Sequence, residues 1–270
     1  MPKDIYDFFE KNIAGKKFES AYIVLVNLIS IPLMFFWTIL GVLLYPLTFL
    51  FLKYIFKKNR GEITRFCVWV YGRIWQLILS FFVSFKKEGL TKEIFSKPSI
   101  IVVNHRSFFD TYCMNMFPVF NICFAVRAWP FRIILYKQFM RWAEYLNIES
   151  TSIDKVRDLS ENLIKNGNSL LFFPEGHRSK DCKLTRFYSG AFKLAVELDV
   201  PIIPICLTGT GKLFPPGRLW LKPSRIVMNG LEPIDPKQFH GEMAHIELKR
   251  YTKNLIEKKL QEMEDIDLKL

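Results

Sequence analysis

Hydrophobic and polar positions divide the 270-residue chain into two parts with different patterns. Residues 21–52 form an apolar run that contains no Asp, Glu, Lys or Arg. At about 1.5 Å per residue, a helix of this length exceeds the ~30 Å hydrocarbon core of a bilayer. Pro32, Gly41 and Pro46 are points at which such a helix could break. Three interpretations stay open: one tilted span, two short spans, or a helical pair that dips into one leaflet.

Basic residues follow the apolar run, with Glu62 as the one acid among them. These basic residues are Lys53, Lys57, Lys58, Arg60 and Arg65. Positive clusters beside a membrane segment are typical of its cytoplasmic side. The sequence therefore predicts a protein of the cytoplasmic membrane, with the rest of the chain facing the cytoplasm. The next apolar segment, 66–85, could lie in the membrane interface or pack as a helix beneath the remaining chain.

The pattern changes from about residue 90, where short apolar runs alternate with helical periodicity. The runs predict strands at 99–103, 120–126, 169–173, 202–208 and 225–234, and the periodicity predicts helices at 154–166, 190–198 and 243–264. This alternation indicates an α/β fold in which helices flank a mostly parallel or mixed sheet. We expect a membrane-associated helical region at 1–88 and an α/β domain at 89–270.

The amino-acid composition indicates which classes of partner the protein binds. The net charge of +12 favours an anionic partner, and the 50% hydrophobic content favours a lipid bilayer over nucleic acid. The five cysteines form no CxxC pair, which is typical of a reduced compartment and not of a disulfide framework. The four histidines are scattered, so neither a metal site nor another cofactor is expected.

The stretch "SIIVVNHRSFFD", residues 99–110, ends a predicted buried strand in polar residues. A histidine at a strand end, His105, is a natural general base, and a carboxylate on its other ring nitrogen would fix its tautomer. Asp110 lies five residues later, which on an α-helix is about 140° of rotation. The two side chains can therefore meet only across a strand–turn–helix, for which Ser107 is a suitable N-cap.

A second stretch, "SLLFFPEGHRS" at 169–179, also ends an apolar strand in polar residues. Arg178 offers a planar guanidinium suited to phosphate, and Glu175 can orient that arginine or accept from a hydroxyl. Gly176 lets a ligand approach the backbone. A polar turn with a surface salt bridge is the alternative interpretation of this stretch.

These stretches, in this order, resemble the PlsC-type lysophosphatidate acyltransferase family. The resemblance rests on "NHRSFFD", "FPEGHRS", "GAFKLA" and "VPIIPI", and covers about residues 98–208. It implies acyl transfer from acyl-CoA or acyl carrier protein to the hydroxyl of a lysophospholipid, without an acyl-enzyme. The absence of a G-x-S-x-G nucleophile elbow agrees with a direct attack.

The resemblance also implies residue roles. His105 would be the general base and Asp110 would orient it. The residues expected to hold the acceptor are Glu175, Gly176, Arg178 and Ser179, with Asn104, Arg106 and Ser107 close enough to assist.

The chain departs from the family pattern at three places. One is Tyr188 and Ser189 before Gly190, where the family often has a lysine followed by another residue. His177 replaces the usual threonine, and the middle block, which in the family contains a glycine and an arginine, here reads "RWAEYLNIESTSID" at 141–154. Because that block helps to bind the acceptor, another lysophospholipid or a lyso-aminolipid stays open beside lysophosphatidate. A non-catalytic lipid-binding protein on the same fold is the alternative outside enzymes. The basic segment 127–142 fits either an anionic membrane surface or an amphipathic core helix.

Overall fold

The computed structural model describes residues 16–179, 183–215 and 220–269. The helices are α1 (Lys16–Phe56), α2 (Arg60–Leu79), α3 (Asp110–Cys113), α4 (Ile134–Trp142), α5 (Ile153–Lys165), α6 (Gly190–Leu198), α7 (Thr210–Leu213) and α8 (Ala244–Lys269). The strands are β1 (Ser84–Glu88), β2 (Ile100–Val103), β3 (Ile122–Val126), β4 (Leu146–Asn147), β5 (Ser169–Phe172), β6 (Ile202–Thr208) and β7 (Arg225–Gly230). Short 3-10 helices lie at Glu93–Phe95, Met114–Met116, Trp129–Arg132 and Pro236–Gln238.

The strands form one seven-stranded sheet in the order β1-β7-β6-β2-β5-β3-β4. Strands β2 to β6 are parallel to one another, whereas β7 is antiparallel to β6 and β1 is parallel to β7. The predicted α/β fold with a mixed sheet is therefore confirmed. Strand β2 pairs directly with β5, Ile101 opposite Leu171. The two polar stretches noted in the sequence consequently leave neighbouring strands at the same edge of the sheet.

Alternating residues of the central strands feed two core layers. Ile100 and Val102 face the layer covered by α5, α6 and α8, where Phe192 and Leu248 are fully buried. Ile101 and Val103 face the opposite layer, which α2 and the segment after β2 complete. Both faces of these strands are buried, which is why they read as continuous apolar runs.

Helix α1 is unbroken and runs through Pro32, Gly41 and Pro46. It packs against α2, where the ring of Trp37 stacks on that of Tyr71. Residues 21–56 form a helix long and apolar enough to cross a membrane, and only 17% of its most apolar 18-residue stretch is buried. Among the interpretations of 21–52, two short spans and a helical pair within this run both require a break and are therefore wrong.

Helix α2 packs on the sheet domain, as one interpretation of 66–85 had it. Its Arg65, predicted within the exposed basic cluster, is instead buried and donates to Asn168 Oδ1 (2.8 Å), the Ala143 carbonyl (3.0 Å) and Glu144 Oε2 (2.8 Å). A buried guanidinium is stable only with such partners. Arg65 thus ties α2 to the sheet.

Strand β1 begins at Ser84, before the predicted domain boundary at residue 89, and pairs along its length with β7. The sheet thus starts inside the segment assigned to the membrane-associated region, of which residues 1–15 lie outside the described chain. Strand β7 ends at Gly230 and not at 234, and α5 begins at Ile153, one residue before the predicted start of the helix at 154.

Candidate active site

The turn after β2 brings His105 and Asp110 together. Asn104 closes the strand by donating to the Leu207 carbonyl (2.9 Å) and accepting from the Leu207 amide (2.7 Å) on β6. Asp110 is the first residue of α3, and its Oδ2 lies 2.8 Å from His105 Nδ1. The predicted strand–turn–helix is present, although Phe109 and not Ser107 is the N-cap residue.

Asp110 is held by the turn that it faces. Its Oδ2 also accepts from the amides of Arg106 (2.6 Å) and Ser107 (2.8 Å), and the residue is fully buried. Because this oxygen already accepts two N–H bonds, it acts as an acceptor toward His105, so Nδ1 carries the proton. The lone pair of His105 then resides on Nε2. This is the tautomer that a general base requires.

The side chain of His105 is mostly shielded from solvent. Its ring stacks on Phe173 with 4.3 Å between centroids, and 17% of the side chain is exposed. The ring also lines a cavity described below. A substrate in the cavity can reach a shielded base of this kind, while the access of bulk water to the base is limited.

Glu175 is engaged by groups of the protein itself. It is 1% exposed, and it accepts from the His105 amide (2.7 Å), the Thr185 amide (2.9 Å) and Thr185 Oγ1 (2.7 Å). With both carboxylate oxygens engaged, Glu175 fastens the β2 and β5 turns to each other. Asn104 likewise uses its side-chain amide on Leu207, and it is not among the residues that line the cavity.

The turn after β5 supplies the groups that do face the cavity. Gly176 adopts φ +69°, and a Cβ there would lie 2.8 Å from the Tyr188 ring. His177 and Arg178 are exposed and line the cavity. Ser179 is buried and its amide donates to the His105 carbonyl (3.0 Å). Arg106 and Ser107 also line the cavity, so five of the seven predicted acceptor-binding residues border it.

The cavity measures about 810 Å³ and runs between α1, α2 and the sheet. His105, Arg178 and Ser179 border it beside aromatic and aliphatic residues such as Trp69, Phe120 and Met140. An apolar space with a few polar groups near a base is what an acyl chain with a polar head requires.

Arg127 is a cavity-lining residue whose role the sequence did not single out. It follows the carboxyl end of β3 and pairs with Glu149, which also accepts from the Ala128 amide (2.8 Å). The amide of Ala128 and the guanidinium of Arg127 lower the pKa of the Glu149 carboxyl. The available signal was position: Arg127 is a basic residue directly after a mostly buried apolar strand.

Comparison with known proteins shows which family model and which proteins this chain resembles. Residues 84–208 match the family model described as Acyltransferase. A 1-acyl-sn-glycerol-3-phosphate acyltransferase of Chlamydomonas reinhardtii is 34% identical over 145 residues, which cover 53% of this chain and 44% of the relative. A chloroplastic 1-acyl-sn-glycerol-3-phosphate acyltransferase of Arabidopsis thaliana is 33% identical over 154 residues, 55% of this chain and 41% of the relative.

A solved structure is similar over most of the chain. The crystal structure of the acyltransferase PlsC from Thermotoga maritima has a TM-score of 0.68 and 21% identity, and covers 91% of this chain and 98% of that one. This likeness confirms the fold.

The fold and the family model agree: the sheet domain has the α/β architecture of PlsC, and its residues 84–208 match an acyltransferase model. Residues 84–208, just under half of the chain, carry the match to the Acyltransferase family model, and the predicted PlsC-type resemblance is confirmed there. The alignments span less than half the length of the Chlamydomonas and Arabidopsis relatives.

Proposed function

We propose that the protein transfers a fatty acyl group from acyl-CoA or acyl carrier protein to the free hydroxyl of a lysophospholipid. The proposed acceptor is 1-acyl-glycerol-3-phosphate, and the product is phosphatidate. The observation that carries the proposal is the His105–Asp110 pair, 2.8 Å apart, at the wall of a cavity large enough for an acyl chain. The names of the relatives support the acceptor.

His105 acts as the general base in this reaction. Nε2 takes the proton of the acceptor hydroxyl while its oxygen attacks the thioester carbonyl carbon. The C–S bond then breaks, and the departing thiolate takes the proton back from His105. Asp110 stabilises the imidazolium between these two proton transfers. One ester forms, one thioester is cleaved, and no cofactor is consumed.

The acceptor phosphate binds at the exposed guanidinium of Arg178, with Arg127 as a second cation at the cavity wall. Arginine presents a planar fork that matches phosphate oxygens. The aromatic part of the cavity takes the acyl chain. Gly176 keeps the backbone beside this site open to the ligand.

The protein works at a bilayer surface. The outer face of α1 carries many exposed apolar side chains, including Leu28, Phe35 and Leu43. A contiguous apolar face of this size is typical of a membrane contact. Lys53 and Lys57 at the end of α1 favour the cytoplasmic side.

A panel assay tests the proposal. Purified protein in vesicles receives labelled acyl-CoA or acyl carrier protein and one of several acceptors: 1-acyl-glycerol-3-phosphate, other lysophospholipids, and a lyso-aminolipid. We expect the fastest transfer to 1-acyl-glycerol-3-phosphate. If transfer to another acceptor is faster, that acceptor and not 1-acyl-glycerol-3-phosphate is the substrate. Binding of lipid without any transfer would favour the non-catalytic alternative.

A further inference from the structure

The last helix reaches the active-site turn. Arg106, next to His105, points its side chain toward α8, where Nη1 donates to Glu264 Oε1 at 2.5 Å. The two residues are 158 positions apart in sequence. The Arg106 side chain is 9% exposed and that of Glu264 is 49% exposed.

The end of α8 is held in place by its apolar side. Ile256, Leu260 and Met263 are buried in the core layer beneath the sheet. Glu264 follows Met263 directly, so core packing anchors the backbone from which its side chain reaches Arg106. The contact is therefore a built feature of the fold.

Arg106 depends on this contact. A buried guanidinium without a counter-charge is unfavourable. Glu264 is the acid that pairs with Arg106 among the described residues, and Arg106 Nε is buried without a hydrogen-bond partner there. Loss of Glu264 would leave the cation unpaired and drive Arg106 toward solvent.

Movement of Arg106 would reach the catalytic pair directly. The amide of Arg106 donates to Asp110 Oδ2 at 2.6 Å, in the same set of bonds that holds His105 Nδ1. The backbone of Arg106 is thus one wall of the Asp110 binding site, while its side chain is tied to α8.

We propose that Glu264 is a positioning residue of the active site, which acts through Arg106 to hold the turn that carries His105 and Asp110. Glu264 itself does not line the cavity. The effect on turnover rests on the proposed acyltransferase function, whereas the effect on the turn does not.

Amide hydrogen exchange tests the structural part of the proposal, that Glu264 holds the turn. The variant is Glu264→Gln, which keeps shape and removes charge. The control is Glu262→Gln, on the same helix and with the same 49% side-chain exposure, where the partner is Lys259 at 3.4 Å. We expect faster exchange at the amides of Arg106 and Ser107 in Glu264→Gln alone. Equal exchange in both variants would overturn the proposal.

A double-mutant cycle tests the functional half. Glu264→Gln and Arg106→Gln should each lower kcat at least about tenfold, because sub-ångström misplacement of a base is costly. The double variant should be no slower than the slower single variant, since both act through one contact. Additive losses, or a rise in acceptor KM with kcat kept, would overturn the positioning role.

A charge-retaining variant tests whether the ion pair is the cause of the loss. Glu264→Asp retains the charge on a shorter side chain and should lose less activity than Glu264→Gln; an equal loss would contradict the ion pair as cause.

If Glu264→Gln does not fold, Glu264→Asp is used in both tests, with Glu262→Asp as its control. If the parent protein transfers acyl groups to no acceptor, the proposed function fails, and amide exchange still decides the role of Glu264.

Discussion

Asp110 Oδ2 accepts three hydrogen bonds, from His105 Nδ1 and from the amides of Arg106 and Ser107. The sequence predicted the His105–Asp110 contact because the spacing fits a strand–turn–helix. It did not predict the two amide donors, since their direction depends on the backbone angles of the turn. The structural part of Glu175 was missed for the same reason: two of its three partners are backbone amides.

Replacing the carboxylate tests this arrangement. Asp110→Asn should lower kcat by about 10²–10⁴-fold, because an amide favours the wrong imidazole tautomer and does not stabilise the imidazolium. Steady-state turnover and the thermal midpoint are measured together, with the exposed Asp154→Asn as the control. A variant within about threefold of the parent would show that Asp110 does not support the base.

Arg178 is exposed at the cavity wall, so its removal should leave the fold intact. We expect Arg178→Ala to raise the KM for a phosphorylated acceptor about tenfold or more with little change in kcat, because a charge-assisted contact to bound phosphate is lost. The exposed Arg157→Ala on α5 is the control. An unchanged KM with a lowered kcat would place Arg178 elsewhere in the reaction.

At the scale of elements, the strands with the strongest apolar runs were predicted well. The predicted helix 190–198 and strand 202–208 coincide with α6 and β6. Strands β1 and β4 were missed. The first is a half-exposed edge strand with two lysines, and the second has two residues, so neither carries a hydrophobic period.

The turn after β6 depends on a glycine. Gly209 has φ +85°, and a Cβ there would lie 1.9 Å from the Arg225 carbonyl oxygen, whereas Gly167 has φ +78° with nothing within 4 Å. Both Gly→Ala variants carry backbone strain, but only Gly209→Ala adds a clash with backbone. We expect its thermal midpoint to fall by at least about 3 °C more than that of Gly167→Ala. Equal midpoints would contradict the close approach of β7.

At the scale of the whole molecule, α1 and α2 cover one side of the sheet and leave a cavity that opens toward the active-site edge. The sequence predicted the apolar segment and the positive net charge of +12. It could not show that Arg65 is an internal tie, because a buried arginine and an exposed one look alike in a charge run. Long-range contacts such as that of Arg106 with Glu264 carry no local signal either.

The apolar outer face of α1 should control membrane binding. Leu28, Phe35 and Leu43 are 71%, 68% and 67% exposed, so replacing all three with Gln should spare the core. Each buried apolar side chain contributes about 1.5–3 kcal/mol, so vesicle binding should weaken by at least about 100-fold. The control is a triple Gln variant of exposed apolar residues in the α/β part: Ile153, Leu159 and Met243. Unchanged sedimentation with vesicles would place the anchor elsewhere.

The most direct measurement compares the parent protein with His105→Ala in acyl transfer from a labelled thioester donor to 1-acyl-glycerol-3-phosphate. Membrane binding and the thermal midpoint are monitored in the same preparations. We predict labelled phosphatidate from the parent, and a loss of kcat of at least about 10³-fold in a folded, membrane-bound variant. Transfer by His105→Ala at the parental rate would contradict the general-base mechanism.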